Sequence, residues 1–540
     1  MQESRNHNYL KGAAILAAAS LIAKFISVIY KIPVFTIMDD AGVGTFQTTY
    51  TVYTFVLAIS TAGIPAALSR IVSSANASGN TKLARRYFNV ALPAFVIIGL
   101  IAMLIMFFFA DSFAAFMNNP LAAPGIRVLA PAVFFACIIS VYRGYTQGHE
   151  NMIPTAMSQI VEVLCKAIVG ISAAFWLAYM GYQTTVVSAG AISGVSIGLG
   201  LAVPLMVWYT RKLNKSVVIK DGGSAENDSS LCIFTKIMRV SIPITLSSVF
   251  MSAMVLIDSR IVLGRLQSAL GLTVVEASEQ FGIYALGLTL YNLPPAILVP
   301  ISVSIIPAIA AAIERGRDGE AGIIMQSSVK LVNLIAMPTS VGLMVLASPI
   351  LMSLYRNSMP SAATILTILG AASFFVCLQY ISTAILQANG HERVALMTFP
   401  IGAAIKLLLA YILSGNPNIG IIASPIGTLA CFIVISFLNF AFIRTRVKDR
   451  PRLRKVFLRP LLCSMAMAAA SFGAYTLFHF IGAGILGTGQ LAVSVFLVLA
   501  IIVGISVYGV LIVVTRTVTL DDMRLVPRGE KLAKLLRIRT

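Results

Sequence analysis

Ser20-Leu21-Ile22-Ala23-Lys24-Phe25-Ile26-Ser27-Val28-Ile29-Tyr30-Lys31 belongs to an apolar run long enough to cross a bilayer, yet it carries two lysines. A lysine at the centre of a membrane helix costs about 2.5–3.5 kcal/mol on insertion scales, so each needs a partner, a water-filled cavity or a function. Lys24 and Lys31 are two helical turns apart, and Ser20 and Ser27 share their stripe. One side of this span is therefore polar and cationic, while the rest suits lipid or protein. Lys166 and Lys406 interrupt two further apolar stretches in the same way. A cavity lined by such residues suits an anionic substrate.

The rest of the chain extends this reading. Of 540 residues, 58% are hydrophobic and 11% charged, and the mean hydropathy is +0.90. Soluble domains carry about 25% charged residues, so the chain reads as an integral membrane protein without a sizeable soluble domain. Fourteen apolar segments are long enough to cross a ~30 Å hydrocarbon core. They are centred near residues 23, 58, 99, 136, 167, 197, 250, 295, 340, 374, 404, 431, 470 and 503. The net charge of +20 lies mostly in one alternate set of loops, while the other set holds only Arg127, Arg260, Arg265 and Arg356. The positive-inside rule then puts both termini in the cytoplasm, consistent with an even number of spans. The basic segments are expected to meet anionic membrane lipids and not nucleic acid. The first span is too long for a signal peptide and has no small-residue cleavage site. Six scattered cysteines show neither metal spacing nor a disulfide framework.

An internal repeat organises the spans. Gln147-Gly148-His149-Glu150 answers Asn389-Gly390-His391-Glu392 at an offset of 242, and Pro65-Ala66-Ala67-Leu68 answers Pro307-Ala308-Ile309-Ala310 at the same offset. Lys166 and Lys406 follow, 240 apart. The expected fold is an all-α polytopic membrane protein of about 14 helices, with two pseudo-symmetric six-helix lobes and two extra C-terminal helices. The expected boundaries are 1–210 for the first lobe, 211–236 for a cytoplasmic linker and 237–443 for the second lobe. A basic linker at 444–459, the last two spans at 460–515 and a basic tail at 516–540 complete the chain. Because six is even, both lobes have the same orientation, as in carriers that bind substrate between halves and alternate access by rocking them.

Particular residues then suggest a relationship. Gly63-Ile64-Pro65-Ala66-Ala67-Leu68-Ser69-Arg70 resembles the second-span motif of polysaccharide exporters in the MOP superfamily. Tyr142-Arg143-Gly144-Tyr145-Thr146-Gln147-Gly148, Met152 to Ala156 and Ser158 to Glu162 resemble the YtgP/SpoVB branch. That branch includes Gram-positive MurJ-type lipid II flippases and the stage V sporulation protein B. The resemblance covers nearly the whole chain. It implies a two-lobed carrier whose central cavity takes the headgroup of a polyprenyl-linked glycan, with the polyprenyl tail in a groove near the last two spans. The chain departs from the branch pattern where Lys24, Lys31 and Lys166 replace arginines and Val163 replaces a glutamine. Lysine keeps the charge but loses the bidentate fork.

The candidate headgroup site comprises Lys24, Lys31, Arg70, Glu162 and Lys166. Lys31, next to Pro33, has snorkelling to the interface as its alternative. Glu162 and Lys166, four residues apart, either pair with each other or line the cavity and part when substrate competes. Asp258 is the candidate for a coupling cation, Na+ or H+, with a local pair to Arg260 or Arg265 as the alternative. The membrane potential is another energy source. No metal, organic cofactor or catalytic group is expected, and there is no nucleotide loop. The expected function is a flippase, acting as a monomer, that moves an undecaprenyl-pyrophosphate-linked glycan, lipid II above all, from the inner to the outer leaflet, with another lipid-linked polysaccharide unit or a sporulation-specific role as the alternative. A drug or cation antiporter of the MATE type would favour an acidic cavity. A membrane glycosyltransferase would need acid/base groups at the leaflet surface, but the outer loop expected at Ile261–Gln280 has no histidine.

Overall fold

The structure, a computed structural model, describes residues 2–216, 229–355, 360–447, 453–486, 489–515 and 517. The helices are α1 (Gln2–Ile29), α2 (Lys31–Ile37), α3 (Asp40–Thr61), α4 (Ile64–Ala77), α5 (Thr81–Phe108), α6 (Ala110–Phe116) and α7 (Ala123–Gly148). They continue with α8 (Ile153–Tyr179), α9 (Thr184–Ser216), α10 (Ser230–Leu270), α11 (Val274–Tyr291), α12 (Leu293–Glu314) and α13 (Asp318–Val345). The last are α14 (Ala347–Leu354), α15 (Pro360–Ala388), α16 (Glu392–Leu413), α17 (Ala423–Arg446), α18 (Leu453–Leu486) and α19 (Gln490–Val514). Among the described residues, 14 segments are long and apolar enough to cross a membrane, and each centre read from the sequence falls inside one of them. The protein is a multi-pass membrane protein. Helices satisfy their own backbone hydrogen bonds, which a bilayer core demands.

Local chemistry sets the helix ends. Asp39 caps α3 by accepting from the Gly42 amide at 2.8 Å, and it also accepts from the Thr184 hydroxyl at the start of α9. Asn80 caps α5 through the Leu83 amide, and Ser229 caps α10 through that of Cys232. The long outer loop expected at Ile261–Gln280 is not formed. Helix α10 continues to Leu270, the left-handed Gly271 (φ 70°) closes it, and α11 begins three residues later. The basic linker expected at 444–459 is largely helical, because α17 reaches Arg446 and α18 starts at Leu453. Residues 217–228 of the linker after α9, and the basic tail apart from Thr517, lie outside the described residues.

Packing divides the chain into two compact units, residues 1–282 and 283–540. The seventh span, α10, thus packs with the first six, whereas the repeat read from sequence placed it in the second half. Its Ile233 and Ile237 join the buried cluster of Ile64, Leu68, Phe88 and Tyr145. The Lys236 ammonium donates to the Tyr87 hydroxyl at 3.2 Å, and Thr245 accepts from the Gly63 amide at 3.1 Å. The second unit has its own core, in which Leu298 and Ile309 of α12 meet Val329 of α13 and Ile381 of α15.

The same order of helix breaks recurs along the chain. The second span breaks at Gly63 and the eighth at Asn292, each followed one residue later by a helix with proline in its first turn. The third and ninth spans each follow a left-handed glycine, Gly79 or Gly316, and end in a break before a short helix. After the fourth span, the Glu150 amide donates to the Gln147 carbonyl and that of Asn151 to Thr146. After the tenth, Gly390 donates to Gln387 and His391 to Leu386. The structural register here is 240, the spacing of Lys166 and Lys406. The Gly-His-Glu identity at 242 is therefore two residues out of register. Pro65 opens α4 whereas Pro307 lies inside α12, so that second match is not structurally equivalent either.

Candidate functional site

A polar seam runs through the first unit where α1, α2, α3, α7 and α8 converge. It begins at Ser20, whose hydroxyl donates to the Gln159 side-chain oxygen of α8 at 2.9 Å. Helix α1 ends at Ile29, and Tyr30 leads into α2, which places Lys31 across from α3. The Lys31 ammonium lies 5.7 Å from the ring centre of Phe35 and 5.8 Å from that of Tyr50. Lys166, only 7% exposed on α8, lies 4.7 Å from the ring centre of Tyr30 and 5.1 Å from that of Tyr50. Tyr50 is thus shared by two ammonium groups. Cation–π contacts contribute about 0.5–2 kcal/mol each. Two of them offset much of the ~2.5–3.5 kcal/mol cost of burying a lysine in a membrane.

Of the two arrangements expected for Glu162 and Lys166, the mutual pair is absent among the described residues. Glu162 instead accepts from the Arg143 guanidinium of α7 at 3.1 Å, and Arg143 also donates to the Ser158 hydroxyl at 2.9 Å. The fork geometry of arginine suits two acceptors at once, which a lysine point charge does not. The consequence is electrostatic. The seam's carboxylate is satisfied by Arg143, whereas Lys31 and Lys166 have no ion-pair partner among the described residues. Counted formally, Lys31, Lys166 and Arg143 against Glu162 leave the cluster an excess of two positive charges.

The other predicted residues occupy different places. Lys24 is one turn from Ser20 on the same stripe of α1 but is exposed, with no hydrogen bond or ion pair among the described residues. Lys31 is half-buried among rings, which does not match a fully snorkelling side chain. Arg70 is exposed on α4, whose main packing partners are α5, α7 and α10, and among the described residues no hydrogen bond or ion pair joins it to the lysine cluster. Asp258 is 3% exposed on α10. Arg260, one of its two expected partners, lies instead over the Phe116 ring at 4.1 Å. In the second unit Lys406 is also buried, and the parallel with Lys166 extends to its surroundings. Gly194 of α9 packs on the Lys166 backbone and Gly427 of α17 on that of Lys406. Small residues of this kind let membrane helices approach closely.

Sequence reasoning passed over Tyr30, Tyr50 and Arg143 as site residues. Arg143 was within reach: α7 and α8 form a tight hairpin about residues 150–151, which puts 143 opposite 158. Tyr50 carried no such signal, because only the packing of α3 brings it to both lysines.

Comparison with known proteins fits this architecture. A family profile described as Polysaccharide biosynthesis protein matches residues 9–313. The stage V sporulation protein B of Bacillus subtilis is 25% identical over 96% of this chain and 98% of its own length. The lipid II flippase MurJ of the same organism is 25% identical over 92% of this chain and 94% of its own. Among solved structures, a lipid II flippase MurJ in an inward closed conformation superposes with a TM-score of 0.67 at 13% identity, covering 93% of this chain and 98% of that one. An inward-facing MATE-family multidrug transporter of the MOP superfamily gives 0.64 at 15% identity over 81% of this chain and 98% of that one. These likenesses establish a fold of the MurJ and MATE kind.

Proposed function

The chain belongs to the polysaccharide biosynthesis protein family, and from that premise we propose that it is a flippase for a lipid-linked glycan whose headgroup is anionic. Lipid II is the specific substrate proposed. The observation that carries this reading is the sign of the seam: Lys31 and Lys166 are held by tyrosine and phenylalanine faces, while Glu162 is occupied by Arg143. A diphosphate entering the seam would meet two ammonium groups that need not break an ion pair first. Charge-assisted hydrogen bonds contribute about 1.5–3 kcal/mol each. Lys24, on the same stripe, would extend the contact, and Arg70 would act at the end of the second span. An organic-cation carrier would need the opposite sign. The relatives named as lipid II flippase and stage V sporulation protein B support the choice of substrate.

The reading places both termini in the cytoplasm and couples outward movement to the membrane potential or to a cation gradient, with Asp258 as the candidate cation site. Its test is reconstitution. Proteoliposomes holding the purified protein and fluorescent lipid II should show protein-dependent translocation, and the double variant Lys31→Ala/Lys166→Ala should lose it. Complementation of a strain depleted of its lipid II flippase checks the same point in cells. Equal translocation by the double variant would overturn the headgroup assignment.

A further inference from the structure

Arg239 and Arg260 bracket residues 240–259 of α10, a stretch in which Asp258 is the only charged residue. Twenty helical residues rise about 30 Å, the thickness of the hydrocarbon core. Arg260 therefore sits at the level where acyl chains give way to headgroups. Next to it, sharing Phe116, lies a cavity of about 670 Å³ between α3, α5, α6 and α10, lined among others by Phe55, Phe109, Phe113, Ala253 and Leu256. Ser112 is the one polar residue of its lining. The exposed guanidinium of Arg260 lies over the Phe116 ring, at 4.1 Å, so the charge stands beside the apolar chamber. Phe109, Phe116 and Ile257 are each 40% exposed or more, so the lining reaches the molecular surface at membrane depth. Nearby, Asp111 is paired with Arg127 and not with Arg260.

We propose that this cavity binds an anionic phospholipid, with one acyl chain in the apolar chamber and the phosphate on Arg260. The positive-inside rule puts the site in the outer leaflet. A chamber of this size encloses a ligand of about one acyl chain, too little for a whole polyprenyl chain. Arginine is suited to grip phosphate oxygens bidentately. The lining includes Val52, two residues from Tyr50 on α3, but neither Lys31 nor Lys166, and the proposal stands independently of the transport reading.

Native mass spectrometry of the delipidated full-length protein, titrated with phosphatidylglycerol, phosphatidylcholine or undecaprenyl phosphate, tests it. Wild type should favour one phosphatidylglycerol over phosphatidylcholine by about tenfold, the order expected of a charge-assisted contact. Arg260→Ala should bring that ratio close to one, and Arg260→Lys should keep part of it. Ala253→Phe, which fills the chamber, should remove the tight lipid of either headgroup, and Ala253→Leu gives a milder filling if phenylalanine disturbs folding. An unchanged ratio in Arg260→Ala, or an unchanged tight lipid in folded filling variants, would overturn the proposal. So would a preference of this site for undecaprenyl phosphate, lost on filling.

Discussion

Tyr50 holds two ammonium groups on one ring, so the lysines and the tyrosine should fail together. Lys166→Ala should lower lipid II translocation by tenfold or more, the scale of one lost charge-assisted contact. Lys166→Arg should recover part of the loss, because charge persists while the fit over Tyr30 and Tyr50 changes. Tyr50→Phe should be close to wild type, since the ring face does the holding, and Tyr50→Leu should resemble the lysine variants. A fully active Tyr50→Leu protein would separate the tyrosine from transport. Lys24 gives the complementary test: it is exposed, with no ion pair among the described residues, so Lys24→Ala should leave expression intact and reduce complementation only if the substrate reaches it. His149 carries a pH prediction. Burial lowers its pKa from the ordinary 6.5, and its Nδ1 lies 3.2 Å from the Asn76 side-chain amide. A folded-state pKa below the unfolded one means that, below about pH 6.5, the unfolded chain takes up the proton first. Stability should therefore fall as pH drops from about 6.5 through the folded value. The melting temperature in detergent should drop more between pH 7.5 and 5.5 for wild type than for His149→Gln.

Helix pairs explain why the buried lysines recur. A Cβ at position 194 would come within 2.6 Å of the Lys166 carbonyl oxygen, and one at 427 within 3.0 Å of that of Lys406. In each half, the sixth-span helix thus presses on the fifth where its lysine sits. Gly194→Leu should force α8 from α9, shift Lys166 off its rings and lower the yield of monodisperse protein. Gly319→Leu, where no atom lies within 4 Å of an added Cβ, should not. Gel filtration of the two variants makes the comparison. At this scale much was legible in the sequence. Apolar length located all fourteen spans, because a bilayer core sets the length of a helix and water does not intervene. The interior lysines gave the repeat its true spacing of 240, since a buried charge is constrained by what surrounds it. The Gly-His-Glu match misled by two residues: the backbone there requires left-handed geometry at Glu150 (φ 60°) and Gly390, and that requirement does not tie identity to register. The Arg143–Glu162 pair was legible only by folding the α7–α8 hairpin, because the rule for neighbours four apart on one helix pointed to Lys166 instead. The aromatic holder of the lysines was not legible at all, since Tyr50 reaches them from a helix more than a hundred residues away from Lys166.

Across the whole molecule, the proposed orientation and the proposed driving force both rest on the charge distribution. If the basic loops are cytoplasmic, cysteines placed at Asp39 or Glu276 should react with an impermeant thiol reagent in intact cells, and one at Lys82 should not. Reaction at Lys82 would reverse the orientation. The same orientation fixes the sign of the energetics. An anionic headgroup moving outward travels toward the positive side of an energised membrane, a gain of about 2.3 kcal/mol per charge per 100 mV. Translocation by proteoliposomes should therefore speed up when a potassium gradient with valinomycin makes the destination side positive, and slow when the gradient is reversed. Asp258 offers the alternative route. It is buried in a span, where a carboxylate is costly unless it pairs or binds a cation. If a cation gradient drives the cycle through this residue, Asp258→Asn should abolish the response to a Na+ or H+ gradient while leaving the response to potential. If the potential acts alone, Asp258→Asn should translocate as wild type does under every gradient. Loss of both responses in a protein that still folds would make Asp258 a structural requirement and remove it as the coupling site. Indifference of the wild type to every ionophore would end the coupling proposal itself, because the anionic headgroup could not then be crossing the field as a net charge.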